Sequence, residues 1–174
     1  MTGVQTCALP ISFAVLLADD LIDAEVPVMQ QMTTIAAREQ YSVIGVMHVA
    51  PSEVASYGIV ETVDDASPLS RVTRIVEKPK PGATTSTLAV VGRYILTPRI
   101  FHHLRTMPAG TGGEIQLTDG IARLMDDEKV LAYEFSGRRF DCGNKLGYLE
   151  ATVELGLKHP EVGSGFAEYL NRRR

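Results

Sequence analysis

Short apolar runs alternate along the chain with segments whose apolar residues recur at helical spacing. The uninterrupted run at residues 13–17 is typical of a strand buried on both faces of a parallel sheet. Residues 42–49 and 88–96 are predicted as further strands. Between the first two runs, residues 26–40 have helical periodicity and a proline only in the first turn. This order predicts a βαβ unit within an α/β fold.

The remaining pattern predicts a hairpin and then alternating helices and strands. Its members are strand 57–60 paired with strand 72–76, a helix to residue 107 begun by Thr97 as N-cap and Pro98, a helix carrying Ile121, Leu124 and Met125, strand 130–135, and helix 145–158 ended by Pro160. No repeat, low-complexity tract or domain linker is present in the sequence.

Composition and charge exclude several function classes. The 174 residues suffice for about one domain with its own core, and 45% hydrophobic with 22% charged residues is ordinary for a globular protein. A net charge of −4 argues against a nucleic-acid partner, which requires clustered positive charge. The basic residues at 172–174 are interpreted as a solvated end.

The cysteines and the apolar N-terminal run bear on localisation. Cys7 and Cys142 have no metal-binding spacing and form no disulfide framework, which fits a reducing cytoplasm. The apolar run at residues 8–18 is too short to span a bilayer, and no basic residue precedes Arg38, so a signal peptide is not expected. We therefore expect a cytoplasmic protein without a membrane partner.

The segment 75–81 is the most informative part of the sequence for ligand binding. Proline cannot donate to a sheet ladder, so Pro79 should stop an apolar strand and leave Glu77 and Lys78 at its end. A fixed carboxylate accepts hydrogen bonds from hydroxyls, and a fixed ammonium meets negative charge. The pair suits a sugar phosphate; the alternative interpretation is a solvated strand end.

Two aspartates and a glycine are further candidates. Asp19 and Asp141 each follow a strand-like run and are expected at the same sheet rim, where two carboxylates can hold magnesium. A single aspartate after a strand is otherwise a turn former or a helix cap. Gly92 inside an apolar strand marks either a close approach of ligand to backbone or a bulge.

Five motifs in order carry a family resemblance. They are Leu16-Leu17-Ala18-Asp19-Asp20-Leu21, Ile75-Val76-Glu77-Lys78-Pro79, Leu88-Ala89-Val90-Val91-Gly92-Arg93-Tyr94, Gly113-Glu114-Ile115-Gln116-Leu117-Thr118-Asp119 and Phe140-Asp141-Cys142-Gly143-Asn144-Lys145-Leu146-Gly147-Tyr148. Over residues 13–163 the chain resembles the bacterial UTP-glucose-1-phosphate uridylyltransferases, a family of sugar-nucleotide pyrophosphorylases. The resemblance implies a Rossmann-like nucleotide-diphospho-sugar transferase fold, with a mixed, mostly parallel sheet and flanking helices.

The resemblance also implies roles for individual residues. Asp19 and Asp141 match the family's Mg²⁺ ligands, and Glu77 matches the residue that hydrogen-bonds glucose hydroxyls. Lys78 matches the contact to the sugar phosphate. Lys78 and Asp19 are therefore the expected catalytic residues.

Two matching glycines and one glutamate complete this set. Gly58 and Gly92 match positions where backbone lies against the sugar. Glu114 lies in a family signature, either touching ligand or capping its helix.

The implied reaction joins glucose 1-phosphate to UTP, giving UDP-glucose and pyrophosphate. The sugar-phosphate nucleophile is already anionic near neutral pH, so the reaction needs no general base. His48, His102, His103 and His159, which lie in none of the motifs, are accordingly interpreted as structural or surface residues. The resemblance further implies a homo-oligomer for a full-length chain.

The chain departs from the family pattern at its start. The family opens with a glycine-rich loop bearing arginine and lysine that holds the nucleotide triphosphate, and this sequence contains no such loop. We expect residues 1–12 to be a non-native leader, residues 13–163 the C-terminal portion of a nucleotidyltransferase domain without its nucleotide-binding part, and residues 164–174 a tail. Two alternatives stay open: a non-catalytic sugar-phosphate-binding fragment, and a thymidylyl- or cytidylyltransferase of the same fold.

Overall fold

The computed structural model describes residues 12–64, 66–109 and 113–173. Within these ranges the strands are β1 (Phe13–Leu16), β2 (Asp20–Asp23), β3 (Ser42–His48), β4 (Gly58–Thr62), β5 (Leu69–Glu77), β6 (Leu88–Leu96), β7 (Val130–Glu134) and β8 (Arg138–Asp141). The α-helices are α1 (Val28–Glu39), α2 (Ile100–Thr106), α3 (Leu117–Asp127), α4 (Lys145–Lys158) and α5 (Gly163–Asn171). The expected leader, apart from Ser12, and Cys7 lie outside the described residues.

The described chain divides into two compact units, a division that its length and composition did not indicate. The first comprises residues 12–16 and 29–135, and the second comprises residues 17–28 and 136–173. No helix in the described ranges is long and apolar enough to cross a membrane.

The first unit is built on a six-stranded sheet with the order β1-β6-β3-β7-β5-β4. Among the described strands of this sheet, only β3 and β7 pair in parallel, and the other pairings are antiparallel. The expectation of a mostly parallel sheet is therefore wrong for this chain. An apolar run encodes burial but not the direction of its neighbours, and here the long β6 runs opposite to both β1 and β3.

Strand β1 corrects the expectation for residues 13–17. It lies at the sheet edge, antiparallel to β6 from Phe13 opposite Leu96 to Leu16 opposite Arg93, and its residues alternate between half-buried and exposed. The strand buried on all sides is β6, in which all nine residues are buried. β6 supplies Val90, Tyr94 and Leu96 to the main core, which α2 and α3 close with Ile100, Ile121 and Leu124.

The start of α2 differs from its sequence-based prediction. Thr97 does not cap the helix, which begins at Ile100 with Arg99 in the capping position. Its hydroxyl instead lies within hydrogen-bonding distance of both carboxylate oxygens of Glu128, at 2.9 and 3.0 Å, and Ser42 also donates to Glu128 at 2.8 Å. Glu128 is only 10% exposed, so this network ties the start of β3 and the end of β6 to the residue that follows α3.

The second unit contains a two-stranded antiparallel sheet, β2 with β8, followed by α4 and α5. Asp20 lies opposite Asp141, and the buried Asp20 carboxylate accepts a hydrogen bond from Arg139. Helix α4 has the bounds predicted from the sequence. Much of the segment expected as a tail, residues 164–174, forms helix α5, whose Phe166 lies against Gly156 of α4.

Candidate functional site

In the first unit, the Glu77 carboxylate lies at the end of β5 between the Thr118 hydroxyl and the Lys78 ammonium. Its Oε2 accepts a hydrogen bond from the Thr118 hydroxyl at 2.7 Å, and its Oε1 lies 3.8 Å from the Lys78 ammonium. The strand ends at Glu77, as the two following prolines predicted. The short bond from Thr118 restrains the carboxylate, whose remaining lone pairs can accept hydrogen bonds from hydroxyl groups.

Gly58 forms the floor beside this carboxylate. It is the cross-strand partner of Glu77, and a Cβ at this position would lie 3.1 Å from Glu77 Oε2 and 3.4 Å from Thr118 Oγ1. Any side chain there would press on the hydrogen bond between the two. The absence of a side chain at the buried Gly58 therefore leaves room for the hydrogen bond between Thr118 and Glu77.

Lys78 occupies a backbone conformation that few non-glycine residues adopt. Its φ is +44°, and its N–H continues the β4–β5 pairing by donating to Tyr57 O at 3.0 Å. A left-handed conformation costs about 1–2 kcal/mol for a residue with a Cβ. The lysine side chain is 66% exposed, so it is free to meet an anion in solution.

Gly92 lies at an irregularity of its strand, and Glu114 does not cap helix α3, whose N-cap is Gln116. The pairing of β3 with β6 shifts between Ile44, opposite Tyr94, and Val46, opposite Val90, so Gly92 lies in an irregularity of β6. This register shift fits the bulge that was one of the two interpretations of Gly92. Glu114 is exposed before α3 and accepts a hydrogen bond from Gln116 at 3.3 Å.

The two candidate metal ligands lie together in the second unit. A Cβ on Gly143 would lie 3.0 Å from Asp141 Oδ1 and 3.3 Å from Asp19 Oδ2, so both carboxylates border the space that this glycine leaves open. The Cys142 N–H donates to Asp19 O at 2.7 Å and joins the two segments. The aspartates approach through the β2–β8 ribbon and not as the ends of two parallel strands.

The residues after Asp141 pack the start of α4 closely against its backbone. Asn144 is the N-cap of α4, and its side chain accepts from the Gly147 N–H at 2.7 Å. A Cβ on Gly147 would lie 2.1 Å from Asp141 O, so only glycine lets the helix start against this backbone. The Asp141 Oδ1 also accepts from the Gly143 N–H at 3.0 Å.

The two carboxylates of Asp19 and Asp141 fit magnesium better than they fit a metal ion that takes all its ligands from the protein. No group of three or more histidine, cysteine, aspartate or glutamate residues with metal-binding geometry occurs among the described residues. Magnesium usually takes one or two carboxylates and keeps water and substrate phosphates as its other ligands. Two neighbouring carboxylates beside an open space match that requirement.

Five of the six sequence-predicted residues thus fall into two groups, one in each unit. Gly58, Glu77 and Lys78 meet in the first unit, while Asp19 and Asp141 meet in the second. Thr118 is the contact of Glu77 that the sequence did not indicate: it lies in a family motif, but a hydroxyl residue in the first turn of a helix is typical of capping.

Comparisons with known proteins place this geometry in context. A family model described as "Nucleotidyl transferase" matches residues 5–156. The UTP–glucose-1-phosphate uridylyltransferase of Staphylococcus haemolyticus is 43% identical over 158 residues, which are 91% of this chain and 55% of that protein. The chain therefore spans about half the length of such relatives.

Solved structures of UDP-glucose pyrophosphorylases are also similar to this chain over about half of their length. A UTP-bound UGPase from Acinetobacter baumannii superposes with a TM-score of 0.83 at 39% identity, over 94% of this chain and 57% of that one. A UDP-glucose pyrophosphorylase in complex with UDP-glucose gives a TM-score of 0.80 at 38% identity, over 86% and 57% of the two chains.

Proposed function

Because the chain belongs to the nucleotidyl transferase family, we propose that it supplies the sugar-phosphate-binding and metal-binding parts of a uridylyltransferase. The reaction is the formation of UDP-glucose and pyrophosphate from UTP and glucose 1-phosphate. The observation that carries the proposal is the Glu77 carboxylate, which accepts a hydrogen bond from Thr118 and lies beside the Lys78 ammonium and Gly58. The relatives at about 40% identity, named for this activity, support it.

The sugar end of the substrate is bound by the first unit. Glu77 accepts hydrogen bonds from glucose hydroxyls, and Lys78 pairs with the phosphate. Gly58 and Gly92 let the backbone lie against the sugar ring. Each of these roles uses the residue for what its chemistry does best: a carboxylate accepts, an ammonium donates and carries charge, and glycine leaves space.

The chemistry is an in-line displacement at the α-phosphorus of UTP. A phosphate oxygen of glucose 1-phosphate forms the new bond, the α–β phosphoanhydride bond breaks, and pyrophosphate leaves with its electron pair. Since the nucleophile is already an anion, the side chains position the reactants and offset charge and need not remove a proton. Lys78 is the described side chain to which we assign charge stabilisation at the sugar phosphate.

Asp19 and Asp141 are the residues that would hold Mg²⁺. When bound, the ion supplies positive charge to phosphate oxygens in the transition state. The two carboxylates hold their places because Cys142 joins the Asp19 backbone to the Asp141 segment and Gly143 leaves the space between the side chains open.

Binding of glucose 1-phosphate to this chain tests the proposal. An NMR titration of the 174-residue chain should show saturable shifts in β4, β5 and the start of α3. Glu77→Ala removes hydrogen bonds to neutral hydroxyls and should weaken binding by about 1–3 kcal/mol, or roughly 5- to 150-fold.

Glu39→Ala is the matched control, since Glu39 pairs only with its exposed neighbour Arg38 in the ion pair that the structure records. This variant should bind as the parent chain does. Failure of the parent chain to bind glucose 1-phosphate would contradict the proposed function. Parent-like affinity in Glu77→Ala would remove the hydroxyl-binding role from Glu77.

A further inference from the structure

We infer that Thr118 is a positioning residue that orients the Glu77 carboxylate toward the sugar hydroxyls, an inference that rests on the proposed function. Thr118 Oγ1 lies 2.7 Å from Glu77 Oε2. An ionised carboxylate only accepts hydrogen bonds, so the threonine must be the donor, and it has a single O–H to give. That proton is committed to Glu77, and a Cβ on Gly58 would lie 3.4 Å from the same Thr118 Oγ1.

The other contacts of Glu77 leave this role to Thr118. The Lys78 ammonium is 3.8 Å from Oε1, beyond normal hydrogen-bond length, and its side chain is 66% exposed. An exposed ion pair of this kind restrains a carboxylate weakly. The short bond from Thr118 is therefore the contact that selects the Glu77 rotamer, and it leaves Oε1 and the second lone pair of Oε2 for ligand.

Helix α3 gives Thr118 a fixed place from which to act. Thr118 is the second residue of the helix, and Ile121 and Leu124 bury the same helix in the core. Gly120 allows a close approach to α2, since a Cβ there would lie 2.6 Å from Leu104 Cδ2. The hydroxyl is thus held by the core, and through it the core sets the direction of Glu77.

This role predicts an effect on sugar recognition that phosphate binding does not share. Thr118→Val keeps the shape of the side chain but removes the donor, so the carboxylate is free to rotate. We expect glucose 1-phosphate to bind about tenfold more weakly while the affinity for inorganic phosphate, held by Lys78, stays the same. Thr118→Ser keeps the hydroxyl and should restore sugar-phosphate binding to within about threefold of the parent chain.

NMR titrations of the 174-residue chain with glucose 1-phosphate and with inorganic phosphate measure both affinities. The double variant Glu77→Ala with Thr118→Val is decisive: if Thr118 acts through Glu77, its substitution adds no further loss once the carboxylate is gone. Thr34→Val, at an exposed threonine of α1 that bonds only to Gln30 O among its recorded contacts, is the control and should bind normally.

Each other outcome has a distinct meaning. Parent-like binding in Thr118→Val, an equal loss for both ligands, or a full additional loss in the double variant would overturn the positioning role. If Thr118→Val does not fold in a thermal melt, Thr118→Ala also removes the donor and adds no second methyl group. If the parent chain binds phosphate but not glucose 1-phosphate, the proposed function fails and the Thr118 inference falls with it.

Discussion

At the scale of single residues, Lys78 combines the clearest backbone strain with a proposed contact to substrate. Its φ of +44° is one of two positive values at non-glycine positions in the described chain; the other is +61° at Gln40, directly after α1. Strained positions persist where something other than stability retains them, and cluster at binding sites. Both residues therefore have a strained positive φ, but only Lys78 has a proposed contact with ligand.

Substitution by glycine should separate strain from function. Lys78→Gly and Gln40→Gly should each raise the free energy of unfolding by about 1 kcal/mol, since glycine adopts a left-handed conformation without the Cβ penalty. Thermal or urea melts measure this gain. Only Lys78→Gly should weaken glucose 1-phosphate binding, by about tenfold or more, because it alone removes the proposed phosphate contact. Unchanged binding in Lys78→Gly would return Lys78 to the interpretation of a solvated strand end.

At this scale the sequence predicted the end of β5 and the charged residues there, because a proline cannot continue the hydrogen bonds of a strand. Pro79 and Pro81 predicted where β5 ends, and Glu77 and Lys78 lie there. Thr118 could not be found in the same way, since its partner is 41 residues distant in sequence. A hydrogen bond between remote segments depends on packing that local patterns do not encode.

At the scale of secondary-structure elements, the periodicity of the sequence predicted which strands and helices form better than it predicted how the strands pair. Strand β6 and helix α4 have the bounds that the apolar pattern gave. The short strands β2 and β8 were missed because four residues with charged ends carry no clear alternation. The predicted parallel pairing was also wrong for β1, which is antiparallel to β6, because the direction of pairing depends on which strand packs beside it.

Helix α4 offers a test of how an element holds the proposed metal site. Gly147→Ala would place a Cβ 2.1 Å from Asp141 O, so the helix start must move away from the aspartate. We expect a loss of about 1–3 kcal/mol in the free energy of unfolding and weaker binding of Mn²⁺ as a magnesium probe. Urea denaturation and Mn²⁺ electron paramagnetic resonance measure the two effects.

Gly165→Ala is the matched helical control, because a Cβ there meets nothing within 4 Å. It should be neutral or slightly stabilising, since alanine favours helix over glycine, and should bind Mn²⁺ normally. Asp141→Asn should lower Mn²⁺ affinity without the steric loss. Equal melts for the two glycine variants would mean that α4 tolerates a shift at Asp141. Unchanged Mn²⁺ binding in Asp141→Asn would remove this residue from the metal site.

At the scale of the whole molecule, the proposed sites are divided between the two units. The residues proposed to bind the sugar phosphate belong to the first unit, and the residues proposed to bind the metal belong to the second. The large core clusters in the first unit, whereas the second relies on a two-stranded ribbon, two helices and the buried pair of Asp20 and Arg139. Length and composition carry no signal for such a division, because it depends on which segments pack together.

The last prediction concerns catalysis by the 174-residue chain alone. It spans 55% of the length of the Staphylococcus haemolyticus relative, and its sequence has no glycine-rich loop with arginine and lysine to hold a triphosphate. We therefore expect the chain to bind glucose 1-phosphate but to release pyrophosphate from UTP at least 10³-fold more slowly than that relative, a difference of about 4 kcal/mol in barrier. Coupled pyrophosphate release with UTP, dTTP and CTP measures the rate, with the relative assayed in parallel as the positive control. Turnover of UTP within tenfold of the relative would show that this chain holds the nucleotide by other residues. Turnover with dTTP or CTP in preference to UTP would contradict the uridylyl assignment.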